Sequence, residues 1–153
     1  MRFPSDENPV HKTLRILIVE DNPADLFLIR EAIEAAGLDA DVYVASDGEK
    51  AMQFLDDAER DALAPSLVIL DINLPKKHGI DVLQHLRRGR RSSRAVVIVV
   101  STSDSARDRQ DAMNFGANEY FRKPSDYDEF LKLGDRIKEL IAGATPASDD
   151  DEE

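Results

Sequence analysis

Short apolar runs alternate along this chain with longer stretches of helical periodicity, and this alternation is the feature that most limits its fold. The clearest runs, Leu14–Val19 and Ala95–Val100, are rich in β-branched residues and have the length of strands. Strands that alternate with amphipathic helices are typical of βαβ units, which build a mostly parallel sheet between helices. The sequence therefore predicts an α/β protein with five strands and five helices.

The boundaries of these elements follow from capping and turn residues. We expect strands at Leu14–Val19, Ala40–Ala45, Val68–Leu70, Ala95–Val100 and Asn118–Phe121. Asn22 and Pro23 would cap and open the first helix, and Gly37 would end it. We expect the other helices over Gly48–Asp57 behind Ser46 or Asp47, over Gly79–Arg88, from a cap at Ser103 or Asp104 to Phe115, and from Asp126 onward.

Polar residues that carry chemistry come directly after four of the apolar runs. Glu20 and Asp21 follow the first, Asp71 the third, and Ser101 and Lys123 the last two. Because the carboxyl ends of parallel strands meet at one edge of a sheet, these side chains should converge there. Three acids, a hydroxyl and an amine at one place predict a site for magnesium and a phosphoryl group.

The acids divide into metal ligands and a nucleophile. Magnesium prefers octahedral oxygen coordination, so Asp21 and Asp71 would be direct ligands, Glu20 a direct or water-mediated one, and the Asn73 carbonyl another. Asp71 is our choice of nucleophile, because it stands alone whereas Glu20 and Asp21 repel each other and are better kept ionised around a cation. The ion would neutralise charge on a phosphoryl group arriving at Asp71.

Lys123 and Ser101 have matching roles at such a site. The Lys123 ammonium would pair first with Asp71 and then with a phosphoryl oxygen, and the Ser101 hydroxyl would donate to another oxygen. Taken alone, each residue has an ordinary explanation: an acid after a strand often caps a helix, and a lysine is usually solvated. Their joint placement at strand ends favours the functional interpretation.

Length, charge and hydropathy exclude several classes of protein. The chain has 153 residues, no cysteine and a net charge of −11, which argues against nucleic-acid binding and agrees with a reducing compartment such as the cytoplasm. We see no run of the roughly 20 apolar residues that a membrane helix needs. We expect a disordered tail over residues 1–12, one domain over 13–142 and a disordered acidic tail over 143–153.

Two charged segments remain without an assigned role. The acidic run Asp149–Glu153 either increases solubility, which is the simpler interpretation, or binds a partner. A basic group lies at the end of the third helix. In the simpler interpretation its side chains are solvated and their charges favour the negative pole of that helix; alternatively, they dock an acidic surface of a kinase. Its members are Arg87, Arg88, Arg90, Arg91 and Arg94.

These residues together resemble the receiver domain of two-component response regulators. The matching segments, over about residues 14 to 142, are Val19–Asn22, Ile69–Pro75 with Gly79, Val99–Thr102 and Tyr120–Pro124. Asp71 and Ser101 are 30 residues apart and Ser101 and Lys123 are 22 apart, as the order of receiver motifs requires. The resemblance implies a flavodoxin-like, doubly wound sheet with strand order 2-1-3-4-5.

The resemblance also implies roles for the site residues. Asp71 would accept a phosphoryl group from a histidine kinase, while Glu20, Asp21, Asp71 and the Asn73 carbonyl hold Mg²⁺. Lys123 and Ser101 would bind the phosphoryl group. Such a protein is a phosphoacceptor in signalling and catalyses only its own phosphotransfer and dephosphorylation.

A switch is implied as well. Tyr120 matches the aromatic residue that turns inward when the switch hydroxyl, here Ser101, moves toward the phosphate. The face formed by the fourth helix, fifth strand and fifth helix would report this change. The ordinary alternative for Tyr120 is a half-buried aromatic residue of an edge strand.

Within the family, the chain is most similar to stand-alone receivers that pair with bacterial and cyanobacterial phytochromes. Glu20–Asp25, Asp71–Lys77 and Ser101–Ser103 carry this narrower resemblance. Partners of such regulators are a histidine kinase, often a photoreceptor, and frequently a second copy through the reporting face. This chain departs from the common pattern in having serine at the switch and Ala95-Val96 where a proline often opens the fourth strand.

Three other functions share part of this pattern. A haloacid-dehalogenase-type phosphatase needs a second aspartate two residues after its nucleophile, and that position is Asn73 here. Dinucleotide binding lacks the glycine-rich motif after the first strand. A pseudo-receiver that binds partners without phosphorylation is the main alternative, although such proteins usually lose one of the acidic, hydroxyl or lysine positions that this chain retains.

Overall fold

A five-stranded parallel sheet forms the centre of the protein, in the order β2-β1-β3-β4-β5. The structure is a computed structural model that describes residues 14–76 and 78–144. The strands are β1 (Leu14–Val19), β2 (Ala40–Ala45), β3 (Leu67–Leu70), β4 (Val96–Ser101) and β5 (Glu119–Arg122). The predicted fold class and strand order are confirmed.

One helix follows each strand. The helices are α1 (Pro23–Ala35), α2 (Gly48–Asp61), α3 (Gly79–Arg88), α4 (Ala106–Asn114) and α5 (Tyr127–Ala144), with a 3₁₀ turn at Ser92–Arg94. Asn22 caps α1 by accepting the Asp25 N–H, and Asp47 caps α2 by accepting the Lys50 N–H. The helix α2 continues to Asp61, four residues beyond the predicted end, because Ala58 is buried in the core and extends its apolar face.

The cap of α4 was predicted wrongly. Ser105, rather than Ser103 or Asp104, accepts the N–H groups of Arg107 and Asp108. The Ser103 hydroxyl instead donates to the Asp108 carboxylate, at 2.6 Å. Hydroxyl groups thus hold the turn after β4, and the helix begins only beyond it.

Both faces of the sheet are covered, which explains why β1, β3 and β4 are apolar at every position except Arg15, near the start of β1, and Ser101, at the end of β4. Alternate residues of these strands pack against α1 and α5 on one face, and the others pack against α2, α3 and α4 on the opposite face. The contact between α1 and α5 is close: a Cβ at Gly134 would overlap the Ala32 carbonyl oxygen and lie 2.9 Å from the Ala36 Cβ. Glycine is needed there for the two helices to approach.

The strand register brings the polar residues to one level. Val19 pairs with Leu70, so Glu20 and Asp71 follow side by side, and the Asp71 N–H donates to the Val19 carbonyl at 3.0 Å. On the other side of the sheet, the Lys123 N–H donates to the Ser101 carbonyl at 2.7 Å. The carboxyl edge of the sheet therefore collects residues that are up to 103 positions apart in sequence.

The predicted tails cover residues 1–12 and 143–153. All of these except residues 143 and 144 lie outside the described residues. Residues 143 and 144, which the prediction assigned to the tail, form the end of α5. Across 14–76 and 78–144, the structure contains no helix with the length and apolar character of a membrane span.

Candidate functional site

Three carboxylates form a cluster at the carboxyl edge of the sheet. One oxygen from each of Glu20, Asp21 and Asp71 lies within 4.8 Å of the others. Glu20 is 2% exposed and Asp71 is 7% exposed, whereas Asp21 is open to solvent. The cluster therefore has a buried floor and one accessible side.

The Lys123 ammonium lies among these carboxylates. Its Nζ is 2.9 Å from Glu20 Oε1, 3.3 Å from Asp71 Oδ2 and 2.7 Å from Asp25 Oδ2. Burial alone would lower the pKa of Lys123, but hydrogen bonds to Asp25 and Glu20 outweigh it and raise the pKa above its usual value, so the side chain is charged. Lys123 thus neutralises part of the acidic cluster.

Asp25 is a site residue that the sequence reasoning missed. It lies in the first turn of α1, and its N–H donates to the Asn22 cap. The sequence signal that could have identified it is its position four residues after Asp21. Because α1 lies close to the sheet edge, the Asp25 carboxylate reaches Lys123. With Asp25, three carboxylates pair with the ammonium.

Glu20 shows the electrostatic consequence of this crowding. Burial raises its pKa to about 7, and repulsion from Asp71 adds to the effect, while hydrogen bonds from Lys123 and the Asn22 N–H oppose it. Carboxylate oxygens in this number are hard ligands of the kind that Mg²⁺ and Mn²⁺ bind, and a divalent cation would favour ionised Glu20. The residues present therefore fit a divalent metal.

The turn after β3 holds Asp71 in place. The Asn73 N–H donates to Asp71 Oδ1 at 2.9 Å, so that one oxygen faces this turn and the other faces Lys123. The Gly79 N–H closes the turn on the Ile72 carbonyl, also at 2.9 Å. A Cβ at Gly79 would overlap the Ile72 Cα and lie 2.7 Å from the Asp71 carbonyl oxygen, so only glycine fits.

Ser101 is fully buried beside this turn. Its Oγ accepts the Ser103 N–H at 3.1 Å and the Asn73 side-chain amide at 3.4 Å. The sequence reasoning assigned a role only to the Asn73 carbonyl and did not foresee the contact of the amide. Asn73 thereby connects Asp71 to Ser101.

Tyr120 lies in a buried position, with 7% of its surface exposed. Its hydroxyl donates to the Ser103 carbonyl at 2.9 Å, and the Arg109 guanidinium lies 4.6 Å from the centre of its ring. Ser103 therefore contacts both Ser101 and Tyr120, through its N–H and its carbonyl. Ser103 thus lies between the two side chains.

The arginine group at the end of α3 does not behave as one solvated cluster. Arg87 is partly buried, and burial lowers its pKa. Its guanidinium donates to polar oxygens of the neighbouring loops, which belong to Ser93, Ala95, Gly116 and Asn118. For Arg87 the prediction of a solvated residue was wrong, because these acceptors hold its guanidinium in a partly buried position between the loops.

Comparison with known proteins identifies the family. The sequence profile of the response regulator receiver domain matches residues 16–134. The chain belongs to this family, whose members accept phosphoryl groups from histidine kinases in signalling. The resemblance inferred from the motifs is confirmed.

The similar proteins include regulators of about the same length. The response regulator Rcp1 of Synechocystis is 32% identical over 131 residues, which cover 84% of this chain and 88% of Rcp1. FilR2 of Methanothrix harundinacea, a probable methanogenesis regulatory protein, is 34% identical over 129 residues, covering 84% of this chain and 83% of FilR2.

Solved structures agree with these sequence matches. The phosphorylated cyanobacterial phytochrome response regulator RcpA superposes with a TM-score of 0.78 at 31% identity, over 88% of this chain and 98% of RcpA. The Mn²⁺-bound form of Rcp1 gives a TM-score of 0.73 at 31% identity, over 83% of this chain and 93% of Rcp1. The chain is thus similar to phytochrome-associated receivers in sequence and in fold.

Proposed function

We propose that this protein is a single-domain response regulator that accepts a phosphoryl group from a histidine kinase on Asp71. The observation that carries the proposal is the meeting of Asp71 with Glu20, Asp21 and the Lys123 ammonium at one sheet edge. A carboxylate that receives a dianionic phosphoryl group needs nearby groups that offset the negative charge. Asp71 has a buried acid and an accessible acid, which can hold a cation, and a buried ammonium. Because histidine kinases draw on cellular ATP, the proposal places the protein in the cytoplasm.

Mg²⁺ is the proposed cofactor. Glu20, Asp21, Asp71 and the Asn73 carbonyl would hold it, and the manganese-bound structure of the similar Rcp1 supports a divalent metal in such proteins. When bound, the ion neutralises negative charge on the incoming phosphoryl group. Asp21, on the open side of the cluster, would be the ligand through which the ion enters.

In the proposed transfer, an oxygen of Asp71 forms a bond to phosphorus while the bond from phosphorus to the histidine nitrogen of the donor breaks. Lys123 stays charged and holds a phosphoryl oxygen where negative charge develops. Both hydrogen bonds of Ser101 in the described part of the chain use its oxygen as acceptor, so its proton is available for another phosphoryl oxygen.

The proposed switch links Ser101 to Tyr120. A phosphoryl acceptor would draw the Ser101 hydroxyl away from the Ser103 N–H, and Ser103 also holds the Tyr120 hydroxyl. Phosphorylation would thereby change the balance between the inward position of Tyr120 seen here and an outward one, and so alter the surface of α4, β5 and α5.

The test of the proposed function uses a small phosphodonor. Wild type incubated with Mg²⁺ and acetyl phosphate should gain one phosphoryl group in its intact mass, and Asp71→Asn should gain none. Asp81→Asn, which changes an exposed acid in the first turn of α3, is the matched control and should behave as wild type. A folded wild type that binds Mg²⁺ but gains no mass would contradict the proposal and indicate a pseudo-receiver that only binds partners.

The proposed kinase partner is one of the phytochrome type, including bacteriophytochromes. Support comes from the similarity to RcpA and Rcp1. A labelled phosphoryl group should pass to this chain faster from an autophosphorylated phytochrome kinase than from a kinase without a photoreceptor. Equal or slower transfer from the phytochrome kinase would contradict this pairing. It would not contradict the proposal that Asp71 is phosphorylated.

We also propose that two copies associate through α4, β5 and α5. Met113 and Phe115 expose about two fifths of their surface at the end of α4, and β5 is an edge strand with Arg122 open to solvent. On a sizing column, phosphorylated wild type should elute as a dimer and Arg122→Glu should shift toward monomer. Arg30→Glu, which reverses an exposed charge on α1, should remain dimeric, and a monomer under all conditions would contradict the proposal.

A further inference from the structure

A groove lies at the amino edge of the sheet, opposite the carboxylate cluster. It has a volume of about 340 Å³ and an apolar floor formed by Leu14, Pro65, Val96 and Ile141. Arg91 and Arg94 line it too, and they continue into a second cavity of about 430 Å³ that Arg90 also lines. The two cavities form one groove with an apolar half and a basic half.

The basic half carries charge that the described residues leave unbalanced. Arg90 and Arg94 are exposed and form no ion pair within the part of the chain that the structure describes. Arg91 binds the Glu59 carboxylate through its backbone N–H and places its Nε 3.3 Å from the Glu59 carbonyl. In a protein of net charge −11, such a local excess of positive charge favours an acidic occupant.

The chain itself contains a segment of the required chemistry. Residues 145–153 hold five acids, all within Asp149–Glu153, and no basic residue. Residues 1–13 join the described chain at Leu14, which lines the groove, but their two acids are balanced by Arg2 and Lys12. Charge complementarity therefore selects the carboxyl-terminal segment.

The geometry of α5 brings this segment to the groove. Ile141 lines the groove, and α5 ends at Ala144, less than one turn later. The five residues from Ala144 to Asp149 can span at most about 17 Å when extended, and a tether this short gives an effective concentration on the order of millimolar. The acids are thus held within reach of the arginines.

We propose that Asp149–Glu153 docks on Arg90, Arg91 and Arg94 of the same chain, as an intramolecular acidic ligand of the groove. The docked segment would cover part of the apolar floor. Since its attraction is electrostatic and lies near the surface, docking weakens as salt shortens the Debye length from roughly 20 Å near 0.02 M to under 5 Å near 0.5 M. It does not depend on phosphorylation of Asp71.

The absence of cysteine from the sequence makes a clean test possible. A nitroxide attached to Ala147→Cys in the 153-residue chain should weaken the amide NMR signals of Ala64, Ser66 and residues 90–96 at about 0.02 M salt. The loss is measured against the same sample after the nitroxide is reduced. At about 0.5 M salt, most of the signal should return.

Two charge variants decide whether the arginines are responsible. Arg90→Gln/Arg94→Gln should restore the groove signals at low salt, whereas Arg30→Gln/Arg107→Gln, which removes two exposed charges elsewhere, should not. Unchanged amide shifts outside the groove report that each variant is folded. Signal loss that survives in the groove variant, or that does not respond to salt, would overturn the proposal.

A mixed sample separates the chain's own segment from that of a second copy. Isotope-labelled protein without nitroxide is combined with unlabelled protein that carries it. No loss of groove signals is expected in this mixture. The loss is compared with that in the sample whose chains carry both the isotope label and the nitroxide. An equally large loss in the mixture would mean that the acidic segment of a neighbouring molecule occupies the groove, and it would overturn the intramolecular proposal.

Discussion

The Lys123 ammonium lies 2.7 Å from the Asp25 carboxylate and 3.3 Å from that of Asp71. Its shortest contact is therefore made with an acid outside the three-carboxylate cluster. Asp25 therefore shares the positive charge of Lys123 with Glu20 and Asp71.

Asp25→Asn should weaken Mg²⁺ binding about tenfold, on the order expected for losing one negative charge about 6 Å from a divalent ion at a high effective dielectric constant. Two effects act in the same direction, because a negative charge is lost and Lys123 is freed to approach the other carboxylates. Isothermal titration with Mg²⁺ measures the change. Glu34→Gln, on an exposed position of α1, should bind as wild type, and tighter binding by Asp25→Asn would show that Lys123 does not compete with the ion.

Tyr120→Phe should lower the free energy of unfolding by about 1 kcal/mol, because the Ser103 carbonyl loses a hydrogen-bond partner beside a buried ring. Urea denaturation measures the loss. The control is Tyr127→Phe, whose hydroxyl contacts Glu31 at the surface and whose removal should cost clearly less than that of the Tyr120 hydroxyl. Equal effects of the two changes would mean that the Tyr120 hydroxyl is not held in the folded state.

Arg87→Met should be the most destabilising of these changes, at about 3 kcal/mol, because several polar oxygens lose their donor at once. The acceptors are the carbonyls of Ser93, Ala95 and Gly116 and the side chain of Asn118. The measurement is again urea denaturation. Arg88→Met, at the next position and exposed, should stay within about 0.5 kcal/mol of wild type, and a similarly mild Arg87→Met would refute the structural role.

Glu59→Gln should show a pH-dependent loss of stability. Burial raises the pKa of Glu59, but hydrogen bonds from the N–H groups of Ser92 and Arg91 outweigh it and hold the pKa below its usual value. A carboxylate with a depressed pKa stabilises the folded state above its unfolded pKa, and this contribution is lost as the pH falls through the folded pKa. The substitution should therefore cost about 1 kcal/mol at pH 7, a value kept small because the group is partly exposed.

The pH series supplies its own check. Denaturation of wild type and Glu59→Gln at successive pH values should show the difference shrinking as the pH falls below about 4.5. Glu49→Gln, at an exposed position of the same helix, should show no such trend. A difference for Glu59→Gln that stays constant with pH would mean that the ionised carboxylate is not what binds the two N–H groups.

Local sequence signals predicted the frame of the protein well. The β-branched run of β4 marked a buried strand, and Asn22-Pro23 marked the start of α1, because both depend on the residues within one element. The same reasoning predicted that Asp71 and Lys123 lie close together, since the carboxyl ends of parallel strands meet at one edge of a sheet. Those contacts required no knowledge of side-chain direction.

The contacts that escaped prediction depend on how separate elements pack. Asp25 reaches Lys123 only because α1 lies against the sheet edge, and the two residues are 98 positions apart. Ser105 caps α4 because Ser103 is already engaged with Asp108. Arg87 resembles its exposed neighbours in sequence, and only the folded loops around it give its guanidinium acceptors.

The central claim is that the phosphoryl group is carried by Asp71, and chemical location of the acyl phosphate tests it most directly. Protein treated with Mg²⁺ and acetyl phosphate is reduced with borohydride, which converts a phosphorylated aspartate to homoserine, and the site is found by peptide mass spectrometry. The account predicts homoserine at position 71, with Glu20, Asp21 and Asp25 unchanged. Reduction at another carboxylate, with Asp71 intact, would contradict it.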